Sequence, residues 1–546
     1  MQEYHQLVRD ALKNGLRSDA RARRGIPACE ELRNLKPTEF GAVSPEVIDY
    51  PLASPAFPVS PTWPFPQFKP ATAGLFLFTG AAVYSVNETN WTASALSLFQ
   101  AASQGSAATL GANGGDVHVA NFLNSWWATD GVNLIFNTPG NLSSRTFVFA
   151  TAALACNSVE VFGDRLFLGG LSGTTLAGSR FLSFFNLWKD TAAGRTYTAA
   201  NEGWDLNYLL WSDEFGGDSQ YPFEALKYIL GLSLGGTPQD NYTDAVVRDL
   251  IEAGKIGILP LDATGDVLAL KSMGNRLIAY GRHGVSAVIP VEYKSLGLTN
   301  VVGFQEQPVK GVNGIAGRGG VGGDDGEHIW IGNDGDLWRV GSDGADRLGY
   351  KEFVDGLVVA DGIIGLDRQE RDFWISDGIT CYVRSRTGLG GPLSILPSSV
   401  VRSPYSTALV GTAPEVDFSA PEPGGVPPDL DSTDPDIVLA RTVPFDFGQR
   451  TQKHVTALQI GVEGMRDVRG TVHYRFDTVT AYRRKIQRKT SKEGLCRIDA
   501  NALDLKVEVL GVAPTQAARI DYVDVRYQFD DRREVRGAQG LTQQQS

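Results

Sequence analysis

Three stretches of the chain match spacings that carry chemistry, and each fails on its surroundings. Gly231-Leu232-Ser233-Leu234-Gly235 has the spacing of a nucleophile elbow. That device needs a buried strand before the serine and a helix straight after it, in an alternating β/α frame. Gly236-Thr237-Pro238 follows instead and starts no helix. A triad would also need one of His283, His328, His454 or His473. Gly317-Arg318-Gly319-Gly320-Val321-Gly322 has the spacing of a dinucleotide fingerprint, which works by facing a helix N-terminus at a pyrophosphate. Here a strand pattern follows, at Ile329, and there is no Walker lysine. Asp429-Leu430-Asp431-Ser432-Thr433-Asp434 opens like a calcium loop. Its sixth position is Asp434 where glycine is needed, and its twelfth is Ala440 where glutamate is needed. An EF-hand is excluded, leaving at most a weak surface cation site.

The remaining chemistry-bearing types do not assemble a site. Cys29, Cys156, Cys381 and Cys496 are each more than 100 residues from the next, which favours free thiols over zinc or disulfides. Asp213/Glu214 and Asp324/Asp325 are adjacent acid pairs, but adjacency does not put two carboxylates across one cleft. No catalytic residue, metal ligand or cofactor-binding residue is assigned. Two basic runs stand out as contacts for a partner or for DNA. One is Arg17, Arg21, Arg23 and Arg24. The other is Arg483, Arg484, Lys485, Arg488 and Lys489. The plain alternative for both is solvation, as a linker or as a sheet face.

These residues must be positioned by β-hairpins. Ile329-Trp330-Ile331 leads through Asn333-Asp334-Gly335 into Leu337–Val340. Asn, Asp and Gly tolerate the positive φ of tight turns, and β-branched and aromatic residues suit the flanking strands. Similar hairpins centre on Gly80, Gly131, Gly284 and Gly378. The gaps between the five glycines are 51, 153, 51 and 43 residues. The long gap is three times 51 and leaves room for two degenerate copies, at Gly163–Gly170 and Tyr208–Trp211. One hairpin every 40–50 residues or so is the signature of β-propeller blades. The expectation is a mainly β fold, a propeller of six or seven blades over 71–411. A large β-sandwich with accidental spacing is the alternative. Sialidase-type propellers carry a Ser-x-Asp-x-Gly-x-Thr-Trp box. The nearest stretch, Asn333–Trp338, has the wrong spacing.

Around the repeats the chain divides further. Residues 1–70 are expected to form an extended and helical N-terminal docking arm. Tyr4, Leu7, Val8, Ala11 and Leu12 fall on one face of a short helix that stops at Gly15. Such a start, with no core of its own, folds on a neighbour. Seven prolines between Pro51 and Pro70 then make a strap. A helical insertion is expected near 222–254, between blades. It has a helix capped by Thr243 that ends at Gly254, and a second over Phe223–Leu230. The Gly311–Gly326 loop is expected to be mobile or packed on another chain. A Pro/Gly/Asp-rich linker spans 412–436. Residues 437–536 alternate, as in Val472, Tyr474, Phe476 against His473, Arg475, Asp477, which predicts a C-terminal β-sandwich. Residues 537–546 read as a disordered tail.

Composition sets outer limits. The chain has 546 residues, 42% hydrophobic and 21% charged, ordinary for a globular protein with a large core. No apolar run approaches the roughly 20 residues of a membrane helix. The start lacks a basic-then-apolar leader, so synthesis in a cytoplasm and no membrane insertion are expected. A net charge of −12 argues against gripping nucleic acid by phosphate neutralisation, though not against walling a passage for it.

The order of features resembles one known group. Leu35-Lys36-Pro37-Thr38-Glu39-Phe40-Gly41 stands near the start. Val161–Leu166, Trp211-Ser212 and Gly335–Arg339 mark the repeats. Pro444-Phe445-Asp446-Phe447-Gly448 and Asp521-Tyr522-Val523 mark the last domain. The pattern resembles the bacteriophage tail hub or nozzle proteins, the packaged-DNA-stabilisation group, over most of the chain. The resemblance implies a non-enzymatic virion protein made in the host cytoplasm. It would form a homo-oligomeric ring, often a hexamer, below the portal and its adaptor. That ring would continue the DNA channel, retain packaged DNA and carry tail fibres or spikes. The family offers no catalytic residue to carry over, and neither basic run matches a family site. The alternative is a carbohydrate-binding or carbohydrate-cleaving propeller, since ten tryptophans and 17 tyrosines could line a sugar groove. A third is a bacterial surface or scaffold propeller.

Overall fold

A computed structural model describes residues 4–7, 9–16, 28–43, 63–71, 73–89, 92–100, 106–111, 115–122, 125–138, 145–148, 154–172, 206–213, 244–294, 300–354, 357, 361–394, 396–402, 409–412, 437–445, 451–476, 481–484, 488–512 and 518–529. The protein is mainly β, built from many small antiparallel sheets. All five expected hairpins form, each as the second and third strands of a four-stranded meander. Four of the five turn glycines take positive φ: Gly80 at 78°, Gly131 at 91°, Gly335 at 73° and Gly378 at 82°. That is the conformation the turn chemistry predicts.

Seven such sheets follow one another among the described residues. Their first strands are Gln67–Ala71, His118–Phe122, Ala155–Phe162, Val267–Met273, Val321–Asp324, Ile363–Asp367 and Ser399–Arg402, and they define sheets I to VII. Sheets I to VI are four-stranded meanders, with Leu98–Gln100 added parallel to the last strand of sheet II. Sheet VII has two strands, the second Leu409–Thr412. The first strand of each sheet packs on the first strand of the next, and that of VII packs on that of I. Large apolar side chains fill the spaces between sheets. Phe76 meets Trp126 at 4.8 Å between I and II, and Trp211 meets Phe304 at 5.1 Å between III and IV. Tyr280 meets Trp330 at 5.5 Å between IV and V. Each such burial contributes roughly 1.5–3 kcal/mol, so sheet-to-sheet packing is the main cohesive term.

The two degenerate repeats are one sheet. Ala155–Phe162 and Arg165–Ser172 are its first strands, and Tyr208–Asp213 its third. The helix Asp244–Glu252 lies between Tyr208–Asp213 and the fourth strand, Ile256–Pro260, so the insertion falls inside one sheet and not between two. The second expected helix lies outside the described residues. Part of the Gly311–Gly326 loop is the first strand of sheet V, and it packs on this chain's own sheets.

The largest departure is at the N-terminus. Two six-stranded sheets share one apolar core beyond sheet VII, and both recruit N-terminal strands. Tyr4–Leu7 pairs with Arg519–Phe529. The hairpin Lys36–Thr38 and Gly41–Val43 pairs with the same strand. Cys29–Arg33 pairs with Ile437–Thr442 in the other sheet. The single helix expected over 1–15 is therefore a strand followed by the helix Arg9–Asn14. The expectation of an arm with no core of its own is corrected: Leu12, Leu16, Leu32 and Leu35 are 0–1% exposed inside this chain. The segment also reaches sheet VI, where Leu16 donates its N–H to Leu389 O at 2.7 Å and Leu32 O accepts from Gly391 at 3.1 Å. Alternation in the C-terminal strands is as read. In Leu495–Ala502 the side chains of Cys496, Ile498, Ala500 and Ala502 point inward and Arg497 and Asp499 outward. The linker over 413–436 and the tail over 537–546 lie outside the described residues.

Candidate functional site

The seven first strands converge, and their polar side chains meet one another there. Gln67 Oε1 of sheet I accepts from Val117 N at 3.0 Å, and Lys69 of sheet I pairs with Asp116, just before sheet II, at 2.7 Å. His118 Nδ1 of sheet II lies 2.8 Å from Ser158 Oγ of sheet III, which accepts from Leu270 N of sheet IV at 2.9 Å. Glu160 of sheet III accepts from Ser272 Oγ of sheet IV at 3.3 Å. Asp324 of sheet V pairs with Arg371 of sheet VI, and Ser399 Oγ of sheet VII accepts from Phe68 N of sheet I at 2.8 Å. The result is a polar belt that joins neighbouring sheets.

Arg318 sits across that belt. It lies between sheets IV and V, yet its guanidinium donates to carbonyls of sheets II and III. Nε reaches Asn157 O at 2.9 Å, Nη2 reaches Thr129 O at 3.3 Å, and Nη1 donates to Asp130 O. A fork of five donors suits three converging carbonyls in a way a lysine would not. The loop spacing that resembled a dinucleotide fingerprint thus serves to deliver this arginine, and a strand, not a helix, follows it.

Asp116, His118 and Ser158 have the constitution of a catalytic triad, with His118 Nε2 3.6 Å from Asp116 Oδ2. Their environment removes that chemistry. Ser158 is fully buried. Arg318 O at 3.2 Å requires Nε2 of His118 to carry the hydrogen, so Nδ1 accepts the Ser158 hydroxyl proton. Burial, then Arg318, holds the imidazole well below its ordinary pKa. No substrate carbonyl can approach. His328 repeats the device between sheets IV and V, donating to Ser272 O at 3.1 Å and accepting from Tyr280 at 2.8 Å, with burial lowering its pKa to about 4.

Two of the belt carboxyls, Glu160 and Asp116, are driven apart. Burial pushes Glu160 up to about 7, against the pull of Lys271 and with Asp325 adding to the rise. Burial also acts to raise Asp116, but Lys69 and Arg318 outweigh it and hold the group below the ordinary carboxylate value. Glu160 binds its proton more tightly folded than unfolded, so its contribution to stability is full below pH 4.5 and is lost as the pH rises through 7. Glu160→Gln is expected to stabilise the protein by roughly 3 kcal/mol at pH 8 and to change little at pH 4. Urea midpoints at the two pH values measure this. An equal shift at both would show that ionisation is not the cause.

Of the residues singled out from sequence, few come together. Arg17, Arg21, Arg23, Arg24, Lys485, Ser233 and Glu214 lie outside the described residues. Arg484 and Arg488 lie in two-residue strands on Arg466–Arg475. Arg483 is exposed, its guanidinium 5.4 Å over the Phe476 ring, and exposed Lys489 pairs with Asp467. All four cysteines are buried, and burial raises the thiol pKa of Cys29, Cys156 and Cys381. No group of three His, Cys, Asp or Glu side chains suited to a metal occurs among the described residues. No helix among them is long and apolar enough to cross a membrane. Sequence reading missed the belt and Arg318. Glu160 and Ser158 look like ordinary strand alternation, and Arg318 is hidden in a glycine run.

No protein-family model matches the chain, and no curated protein does so. Solved structures give weak likenesses. PorZ, a surface component of the type-IX secretion system of Porphyromonas gingivalis, is 10% identical with a TM-score of 0.16, over 60% of this chain and 39% of PorZ. An exo-β-1,3-galactanase from Phanerochaete chrysosporium is 10% identical with a TM-score of 0.22, over 84% of this chain and 95% of the enzyme. The GH43 protein BlXynB from Bacillus licheniformis is 9% identical with a TM-score of 0.23, over 75% of this chain and 97% of that protein. At these TM-scores none of them bears on the fold or the function of this chain.

Proposed function

We propose that sheets I to VII are the blades of a seven-bladed β-propeller, that the two six-stranded sheets form a β-sandwich, and that the chain is a structural subunit of a bacteriophage tail. On this reading copies assemble into a nozzle or hub ring in the virion. The ring continues the DNA channel and links the portal and adaptor to fibres or spikes. The series of first-strand contacts that returns from VII to I supports the propeller. One observation carries the structural role. Polar groups where the blades meet pair with each other, in Lys69–Asp116, Asp324–Arg371 and the Arg318 carbonyl cradle, with buried Gln67 Nε2 an exception, so the axis is built mainly for rigidity. Rigid, internally satisfied polar networks suit a scaffold more than a cleft that must receive substrate. Electron microscopy of the native assembly tests this. A closed ring with an axial hole of about 20 Å or more supports it. Isolated chains at a fibre tip, each with an open side cleft, would overturn it.

A second reading, carbohydrate cleavage, has one observation in its favour: a raised carboxyl, Glu160, and a depressed one, Asp116, in the same belt. Register weighs against the pair. Ser158 faces His118, so Glu160 lies two residues beyond that level and Asp116 two residues short of it. In strands running side by side this is roughly 13 Å of rise. Glycosidase carboxyls stand about 5–9.5 Å apart. Polysaccharide turnover by the purified protein, abolished by Glu160→Gln, would favour this second reading.

A further inference from the structure

We infer that the basic edge of the sandwich docks on the outer acidic surface of sheets III and IV of a second copy of this chain. The inference rests on the ring reading above and names its interface. Charge is strongly partitioned along the chain. Residues 437–529 hold 16 Lys and Arg against 10 Asp and Glu, whereas residues 67–412 hold 23 against 34. A protein of net charge −12 therefore carries one cationic body on an anionic one.

The cations gather at one edge. Arg466–Arg475 is the last long strand of its sheet, paired on one side with Asp504–Val512 and on the other, among the described residues, with Arg483–Arg484 and Arg488–Lys489. Leu495–Ala502 is the last strand of the other sheet and packs beside it. The turn through Ser491 and Gly494 carries the chain from one edge to the other. Arg466, Arg483, Lys489, Lys492 and Arg497 are all exposed there, and they outnumber the exposed acids Glu463, Glu493 and Asp499. Among the described residues the two edge strands are two residues long and pair with His473–Tyr474 and Arg469–Gly470.

Sheets V and VI already contribute Ile329, Ile331, Ile375 and Tyr382 to the sandwich core of the same chain, so part of their surface is taken up there. Among the described residues sheets III and IV add nothing to that core, and they expose Asp164, Asp249, Asp262 and Glu292 against Arg248 and Arg282. An edge on one copy meeting a different surface on the next is a heterologous contact, the kind that closes into rings. Lysine and arginine at an edge also guard a sheet against edge-to-edge pairing. On that account alone glutamate would serve as well, which separates the two explanations.

The test uses two full-length variants. One carries Arg483→Glu, Lys492→Glu and Arg497→Glu. The other carries Asp249→Lys, Asp262→Lys and Glu292→Lys. Sedimentation velocity is run on wild type, each variant and their equimolar mixture, with circular dichroism confirming the fold of each. The expected result is wild-type self-association that weakens about tenfold or more between 50 and 500 mM NaCl. Each variant alone is monomeric, and the mixture recovers association. Variants that associate like wild type would overturn this interface and leave the ring reading standing. A wild type that is monomeric at every salt and protein concentration would overturn both. Loss of short-duplex DNA binding in the first variant, with unchanged self-association, would assign the edge to nucleic acid instead.

Discussion

Deleting residues 1–43 will unfold the C-terminal pair of six-stranded sheets while leaving most of sheets I to VII intact. The segment supplies strands to both members of that pair. It also buries Ala11, Leu12, Leu16, Cys29, Leu32, Leu35 and Ala42 to 1% exposure or less. The apolar burial lost is on the order of 10 kcal/mol, comparable with the whole stability of a typical domain. Two further losses add to it. Arg441 loses Glu31, 2.9 Å away, although it keeps the buried Glu508. The strand Arg519–Phe529 becomes an unguarded edge, which invites aggregation. The chain provides a selective probe. All ten tryptophans lie outside residues 1–43 and 437–529, so their fluorescence reports only on the rest. The expected result is rapid proteolysis within 437–529 with blue-shifted tryptophan emission retained. A deletion variant whose C-terminal body resists protease as the full chain does would show that the N-terminal strands are dispensable.

Features with a local cause were legible in the sequence, and features with a distant cause were not. The five hairpins depend on a few adjacent residues, such as Asn333-Asp334-Gly335, and all five formed. Alternation in Arg466–Arg475 and Arg519–Phe529 is also local, and it marked the C-terminal strands. Sheet III reads as two repeats because long connections, over 173–207 and 214–255, separate its strands. Nothing near Ser172 or Asp213 points to a link, since pairing information lies in the partner strand. The N-terminal strands were hidden for the same reason. Tyr4–Leu7 pairs with residues 524–527 at the far end of the chain, and its own four residues fit a helix face as well as a strand. The polar belt was hidden because Ser158 and Glu160 differ from solvent-facing strand residues only in what surrounds them. Arg318 was hidden by its glycines, which read as a mobile loop. One of them, Gly319, packs so closely that an added Cβ would lie 2.9 Å from Gly362 O.

Replacing Arg318 with alanine is expected to destabilise sheets I to VII by roughly 3–5 kcal/mol, since a hydrogen bond to a charged group contributes about 1.5–3 kcal/mol. Asp130 O keeps the N–H of Gly115 at 2.8 Å, so the loss there is smaller. The cost falls mainly on Asn157 O, which accepts from both Nε and Nη2 of the guanidinium. The change also removes one of the cations that hold Asp116 ionised. Arg318→Lys keeps the charge but presents a point donor where a fork is needed, so it should recover less than half of the loss. Gly131 makes the argument specific to this contact. It has φ +91°, and a Cβ there would lie 2.7 Å from Arg318 Nη1. Gly131→Ala should therefore cost both backbone strain and displacement of the guanidinium, about 2–4 kcal/mol in sum. Once Arg318 is alanine the displacement has nothing left to act on. The double variant should then be less destabilised than the two single variants added together, by about 1 kcal/mol or more. Urea unfolding followed by tryptophan fluorescence measures all four proteins. Strict additivity would mean that the two residues do not share a contact, and the account of Arg318 as the staple between sheets II and III would fail.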